Sequence, residues 1–219
     1  MTRWLSALLA LILSTFTFAL NRTEQQWVDS VRTTYGERAA KRVTTWREEM
    51  ENYQKLDERQ QIERVNRFFN QLNFVNDINL WGKNDYWATP LEFLGANAGD
   101  CEDFTIAKYF SLLELGVSDT KLRLVYVKAL ELNQFHMVLA YYQRPSSEPL
   151  ILDNINPVIK PASTRKDLLP IYSFNGKNLW LMKSNQGQLA GESSRLSLWN
   201  DLRSRERSLK LNKPIVNYD

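Results

Sequence analysis

Three residues of this chain have the types and order needed for nucleophilic chemistry. Cys101 is the only cysteine and His136 the only histidine in 219 residues. Asp153 follows them and closes the apolar run Leu150-Ile151-Leu152. The order Cys, His, Asp is that of a nucleophile, a base and an orienting group. Each residue alone has a plainer reading: an inert core thiol, a structural histidine in an apolar strand, a turn aspartate. Their combination, with two of the three unique in the chain, points to acyl transfer on sulfur. In that chemistry His136 takes the thiol proton of Cys101, and Asp153 holds the imidazole in the right tautomer. The thiolate attacks a peptide carbonyl, His136 protonates the leaving amine, and water releases the acyl group.

The segment after the cysteine reads as a helix. Phe104, Ile106, Ala107, Phe110, Leu112 and Leu113 form a stripe near the 3.6 period. Asp100 suits the N-cap and Gly116 the stop. The thiol then lies in the first turn, where free backbone N–H groups and the helix dipole favour a thiolate. The Cys101 N–H is one candidate donor to a developing oxyanion, with a second expected from the Trp81–Trp87 segment.

Charge argues against that thiolate. Asp100, Glu102 and Asp103 crowd Cys101, and like charges within about 4–6 Å raise a thiol's pKa. Either these carboxylates point away or a cation offsets them. Oxygen ligands with no second Cys or His speak against zinc and for calcium. Asp100 and Glu102 are the candidate ligands. Asp119, just past Gly116, is a candidate to close the site. The plainer reading makes Asp100 only a cap and Glu102 only a partner of the helix dipole.

The stretch WGKNDYWATPLEFLGANAGDCEDFTIAKYFSLLELG from Trp81 to Gly116 resembles the signature of the bacterial transglutaminase-like cysteine proteinases. FHMVLAY at Phe135 to Tyr141, LDNI at Leu152 to Ile155 and YSFNGKNLWLM at Tyr172 to Met182 fit the same family. The likeness runs over roughly residues 25–185 and is greatest to the periplasmic adhesin-cleaving members. It implies an α+β, papain-like or transglutaminase-like fold with the cysteine on a helix and His and Asp on adjacent strands. It also implies a calcium requirement carried by Asp100 and Glu102. The implied substrate is the N-terminal region of a large cell-surface adhesin, cut at an Ala-Ala site to release a biofilm. The implied inhibitor is the periplasmic domain of an inner-membrane cyclic-di-GMP receptor. Two other readings stay open: a transglutaminase or amidase using the same three residues, and a non-catalytic module that only engages the receptor.

Composition sets outer bounds. Hydrophobic residues make up 43% of the chain, enough for a globular core, and the net charge is only +3. With no Lys/Arg blocks among aromatics, nucleic-acid binding is not expected. Seven Trp and nine Tyr suit either aromatic grooves or a core of large rings.

The elements that must position the three residues can be read in order. Residues 23–55 have a helical face of Trp27, Val31, Tyr35, Val43 and Trp46, broken at Gly36. Asp57 to Phe74 form a second helical pattern through Ile62, Val65, Phe68, Phe69 and Leu72. Residues 76–99 read as a loop next to the nucleophile. From Leu122 the pattern turns to strands: Leu122–Leu130, Phe135–Tyr142, Leu150–Asp153, Ile171–Phe174 and Leu179–Met182, the last two joined at Asn175-Gly176. On the second strand His136, Val138 and Ala140 share one face, and Phe135, Met137 and Leu139 the other. Ser194 to Leu209 read as a polar helix with a thin stripe of Leu196, Trp199, Leu202 and Leu209. The expected organisation is a signal peptide at 1–19, a proteinase domain at 20–185, and a helical extension or tail at 186–219.

Arg3 followed by an apolar run from Trp4 to Ala19, closing on Thr17-Phe18-Ala19, has the pattern of a secretory signal. The run is shorter than the roughly 20 residues needed to span a bilayer, although an uncleaved anchor is the alternative. The expected location is the periplasm, without stable membrane insertion after cleavage. Intact-mass analysis of the exported protein is expected to give a start near Leu20 or Asn21. A mass retaining Met1 to Ala19, found in the membrane fraction, would favour the anchor.

Overall fold

The computed structural model describes residues 19–182 and 187–218; the signal-like run through Phe18 lies outside them. Among the described residues no helix is long and apolar enough to cross a membrane.

The chain opens with helices α1 (Arg22–Tyr35), α2 (Glu37–Tyr53) and α3 (Glu58–Phe69). α1 starts on a capping box: the Asn21 side chain accepts the N–H groups of Thr23 and Glu24, and Glu24 accepts the Asn21 N–H. Gly36, at φ 101°, makes the expected break before α2, a conformation that costs glycine little. Asp57 caps α3 in the same reciprocal way. Then come β1 (Asn73–Phe74), α4 (Asp77–Leu80), α5 (Pro90–Ala96), β2 (Ala98–Gly99) and α6 (Cys101–Glu114). The remainder is β3 (Leu122–Ala129), β4 (Gln134–Tyr141), β5 (Leu150–Leu152), β6 (Lys160–Pro161), β7 (Leu168–Phe174), β8 (Asn178–Leu181), β9 (Gln188–Glu192) and α7 (Ser197–Ser208).

Strands β3 to β9 form one antiparallel sheet in the order β6-β5-β4-β3-β7-β8-β9. The architecture is therefore α+β, a helical layer on an antiparallel sheet. Period-two alternation decides what each face meets. Met137, Leu139 and Tyr141 of β4 enter the main core beneath α6, while Val138 and Ala140 join a second cluster with Val125, Val127 and Ile151. A ladder of rings ties the helices to one another: Phe69 stacks on Phe93 at 6.1 Å, and Phe93 meets Phe104 edge-on at 4.8 Å.

Two expectations need correcting. Residues 76–99 are not a plain loop, because α4 and α5 lie within them. Thr89 Oγ1 accepts the Glu92 N–H at 3.2 Å, Glu92 Oε2 accepts the Thr89 N–H at 2.8 Å, and Pro90 occupies the first helical position. This is a capping box with proline at N1, a local start signal overridden in reading by the punctuation around it. Trp81 and Trp87 are buried in the core and line no groove; Trp87 stacks on Phe174 at 5.6 Å.

The C-terminal segment, described over 187–218, docks on the domain. β9 is the sheet's edge strand, and Trp199 and Leu202 of α7 lie in the main core. Trp199 meets Tyr109, Phe110 and Phe174 at 5.8, 5.7 and 5.3 Å. The apolar stripe of α7 is thin because a buried arginine completes the contact. Arg205 pairs with the fully buried Glu92 and donates to Tyr86 Oη at 2.8 Å and to the Trp87 carbonyl at 2.6 Å. Removing one partner leaves the other charge buried and uncompensated. Arg205→Ala is therefore expected to destabilise the fold by about 3–5 kcal/mol, measured as a lower denaturant midpoint. An unchanged midpoint would contradict a stabilising role for this buried ion pair.

Candidate active site

α6 begins at Cys101, with Asp100 extended at the N-cap. The start of this helix is held from behind. Asp103 is fully buried; its Oδ2 accepts the Asp100 N–H at 3.2 Å and its Oδ1 the Ala88 N–H at 2.7 Å. Such close approach requires glycine at 99, because a Cβ there would clash with Asp103 Oδ2 and the Phe93 ring. The Gly99 carbonyl in turn accepts the Val75 N–H at 2.9 Å.

The thiol of Cys101 is 8% exposed. Its sulfur faces the backbone N–H of Met137 and lies 2.7 Å from Glu102 Oε2. Thr105 Oγ1 donates to the Met137 carbonyl at 3.0 Å. The first turns of α6 are thus stitched to β4 at the residue following His136. His136 is buried, with Nε2 2.8 Å from Asp153 Oδ1. The structure brings His136 and Asp153 into direct contact and sets Cys101 against the next residue of β4.

Asp153 is held at all three of its oxygens. Oδ1 also accepts the Ile155 N–H at 2.9 Å, Oδ2 accepts from Arg165 Nη2 at 2.8 Å, and its carbonyl accepts from Asn70 Nδ2 at 2.9 Å. Burial alone would raise its pKa, but His136 and Arg165 outweigh burial and hold it at about 2. An ionised carboxylate only accepts, so Nε2 of His136 carries a proton and Nδ1 of the neutral ring is left as the base.

Beside the thiol is a buried acidic cluster. Carboxylate oxygens of Asp77, Asp100 and Asp103 lie within 4.8 Å of one another, as do ligand atoms of Asp100, Cys101 and Glu102. Asp77 Oδ2 accepts the Tyr86 N–H at 2.5 Å, but Asp77 Oδ1 and Asp100 Oδ1 are buried with no partner among the described residues. Burial first, then the neighbouring carboxylates, push Asp77 up to about 7 and Asp100 up to about 12. Burial, then Glu102 and Asp100, likewise push the Cys101 thiol well above its ordinary range. Orphaned hard oxygens among mutually repelling carboxylates fit a divalent cation such as calcium. Asp77 was not among the ligand candidates read from the sequence, since an Asp at the start of a four-residue helix carries no periodic signal.

Asp119 does not belong to this cluster. Its Oδ1 accepts the Tyr109 hydroxyl at 2.5 Å and the Gly176 N–H at 3.1 Å, fastening the β7–β8 turn. It follows the far end of α6, and a helix of 14 residues separates its ends by about 20 Å.

The two sets of carboxylates give opposite dependences on pH. Asp153, depressed to about 2, adds stability above pH 3.8 that is lost as pH falls. Asp77, raised from 3.8 to about 7, removes stability as pH rises through that window. In chelator the melting temperature is therefore expected to fall from about pH 4 to about pH 8, and Asp77→Asn to flatten that fall. Parallel slopes for the two proteins would contradict the burial of an ionisable Asp77.

The search of curated proteins returned no match. Among solved structures, Legionella pneumophila LapG in its EGTA-treated form is 42% identical, with a TM-score of 0.74, covering 83% of this chain and 96% of that one. LapG described without either treatment is also 42% identical, with a TM-score of 0.73 over the same shares. Calcium-bound LapG is 41% identical, with a TM-score of 0.73, covering 84% and 98%. The family model for bacterial transglutaminase-like cysteine proteinases matches residues 25–185. By that match, over most of its length, this chain belongs to the bacterial transglutaminase-like cysteine proteinases.

Proposed function

We propose that this protein is a periplasmic, calcium-dependent cysteine endopeptidase that cuts the N-terminal region of a large cell-surface adhesin and so releases it. The carrying observation is the buried His136–Asp153 pair, with the thiol at a helix start set against Met137, the residue after His136. Cys101 is the nucleophile, His136 the base through Nδ1 and then the acid, and Asp153 the orienting group. The Cys101 N–H at the free end of α6 is the first oxyanion donor.

Asp77, Asp100, Asp103 and Glu102 would hold calcium, which when bound supplies positive charge beside the thiol. This reading is supported by LapG having been solved in calcium-bound and EGTA-treated forms. Without a cation the cluster's protons do the neutralising, and the thiol stays protonated. Asp103 connects that charge to position, because the same carboxylate anchors Asp100 and Ala88.

A polypeptide substrate suits the open sheet face near Cys101. Tyr126 stacks on Phe135 at 5.4 Å and on Tyr172 at 5.0 Å, and Phe135 is 58% exposed. Such a row can take the side chains of an extended segment. The regulator we propose is the periplasmic domain of an inner-membrane cyclic-di-GMP receptor, acting as an inhibitor.

Incubation with an adhesin's N-terminal fragment, followed by sequencing of any new N-terminus, tests the proposal. Cys101→Ser and His136→Ala are expected to lose several orders of magnitude in rate with the fold intact. Asp153→Asn should be milder, because an amide can still orient the imidazole. Near-normal turnover by either severe variant would remove the peptidase reading. A calcium-selective chelator should switch cleavage off and added calcium restore it. Magnesium should substitute poorly, because it demands tight octahedral geometry and sheds water reluctantly. Full activity in chelator, with no calcium-binding heat by calorimetry, would sink the metal site.

A further inference from the structure

We propose that Arg165 is a positioning residue for this reaction: acting through Asp153, it fixes which ring nitrogen of His136 carries the proton. The inference rests on the peptidase reading and deepens it.

The two oxygens of Asp153 have separate tasks. Oδ1 receives His136 Nε2 and the Ile155 N–H, while Oδ2 receives Arg165 Nη2 at 2.8 Å. A carboxylate held on one oxygen alone can turn about its Cβ–Cγ bond. Held on both by donors that cannot move, it cannot. Arg165 is such a donor. It is 5% exposed, and its guanidinium is gripped from its other side by Asp167, with Nε 2.9 Å from Oδ1 and Nη2 2.7 Å from Oδ2.

The backbone carrying Arg165 is tied down as well. Arg165 lies in the connection from β6, at the sheet's edge, to β7, which pairs with β3 past the intervening β5 and β4. The Arg165 N–H donates to the Ala162 carbonyl at 3.0 Å, and the Leu130 N–H to the Asp167 carbonyl at 2.8 Å. Ala162 and Leu168 pack on the cluster of Val125, Val127 and Val138. The connection is a strap across the back of the sheet whose one buried cation points at Asp153.

The charges facing Asp153 come from three elements. His136 comes from β4, Arg165 with its partner Asp167 from the strap, and Lys108 from α6. Lys108 is fully buried and acts on Asp153 through space. Arg165 alone among these is a permanent cation in hydrogen-bond contact. It keeps Asp153 an acceptor, and an acceptor at Oδ1 keeps the proton on Nε2 and Nδ1 free.

The test uses the chain's one histidine, so imidazole 15N signals report on His136 alone. The full mature protein is labelled and compared with Arg165→Met, Arg165→Lys and Asp167→Asn. In Arg165→Met, kcat is expected to fall on the order of ten- to a hundredfold while KM stays within about twofold. Its ring signals should shift towards a mixture of tautomers, and its Nε2 proton should lose protection from exchange. Arg165→Lys should recover part of kcat, and Asp167→Asn should lose less than Arg165→Met. A wild-type imidazole spectrum in Arg165→Met, with any loss of rate matching only the loss of folded protein, would overturn the proposal. Should Arg165→Met fail to fold, wild-type spectra and rates in both other variants would overturn it equally. The spectra need no substrate. Failure of the wild-type protein to cleave would count against the peptidase reading, while the tautomer measurement still decides Arg165.

Discussion

The start of α6 is where this structure concentrates its unfavourable charge, and the rest of the fold is arranged around that fact. Asp103 is entirely removed from solvent, Asp77 and Asp100 lie against it, and the nucleophile candidate Cys101 is the first residue of the helix. Burying a carboxylate is costly unless hydrogen bonds or a counter-charge offset it. Asp103 is satisfied by two backbone N–H groups, and those bonds fix the segment at 88 and the N-cap at 100. Gly99 is required by the same contact. The orphaned oxygens of Asp77 and Asp100 are what remains unsatisfied.

Two buried ion pairs serve this centre from different distances. Glu92–Arg205 joins α5 to α7 and brings the C-terminal helix under the segment that carries Tyr86 to Ala88. Asp153–Arg165 joins the end of β5 to the strap behind the sheet. Such pairs add little net stability over well-packed apolar groups, but breaking one leaves a stranded charge. Their value here lies in geometry. Each fixes one conformation of a segment that the core packing alone would leave adjustable.

The two carboxylate groups have opposite electrostatic settings. Asp153 is surrounded by donors and stays ionised. Asp77 and Asp100 are driven towards protonation by burial first and by neighbouring carboxylates second. The thiol lies next to the second group, so its ionisation is coupled to whatever neutralises that cluster.

Much of this was legible in the residues themselves. The helix after Cys101, its cap at Asp100, the strands around His136 and Asp153, and the break at Gly36 follow from local rules of period, capping and backbone freedom, which act within a few residues and so are written in the sequence. The placement of His136 and Asp153 on neighbouring strands was implied by the family resemblance. What the sequence did not determine is whatever depends on partners distant in the chain. Asp77 joins Asp100 and Asp103 through contacts distant in sequence, among them the pairing of β1 with β2. Asp119 follows α6 closely in sequence, yet the helix carries it away to the β7–β8 turn. Trp199 and Arg205 look like a thin stripe on a polar helix until Phe174 and Glu92 are brought beneath them. Arg165 carries no periodic or motif signal at all, and only the strap's course across the sheet delivers its charge to Asp153. Local chemistry chose the candidate nucleophile and its helix. Burial and long-range pairing, which no short window contains, decided which charges surround it.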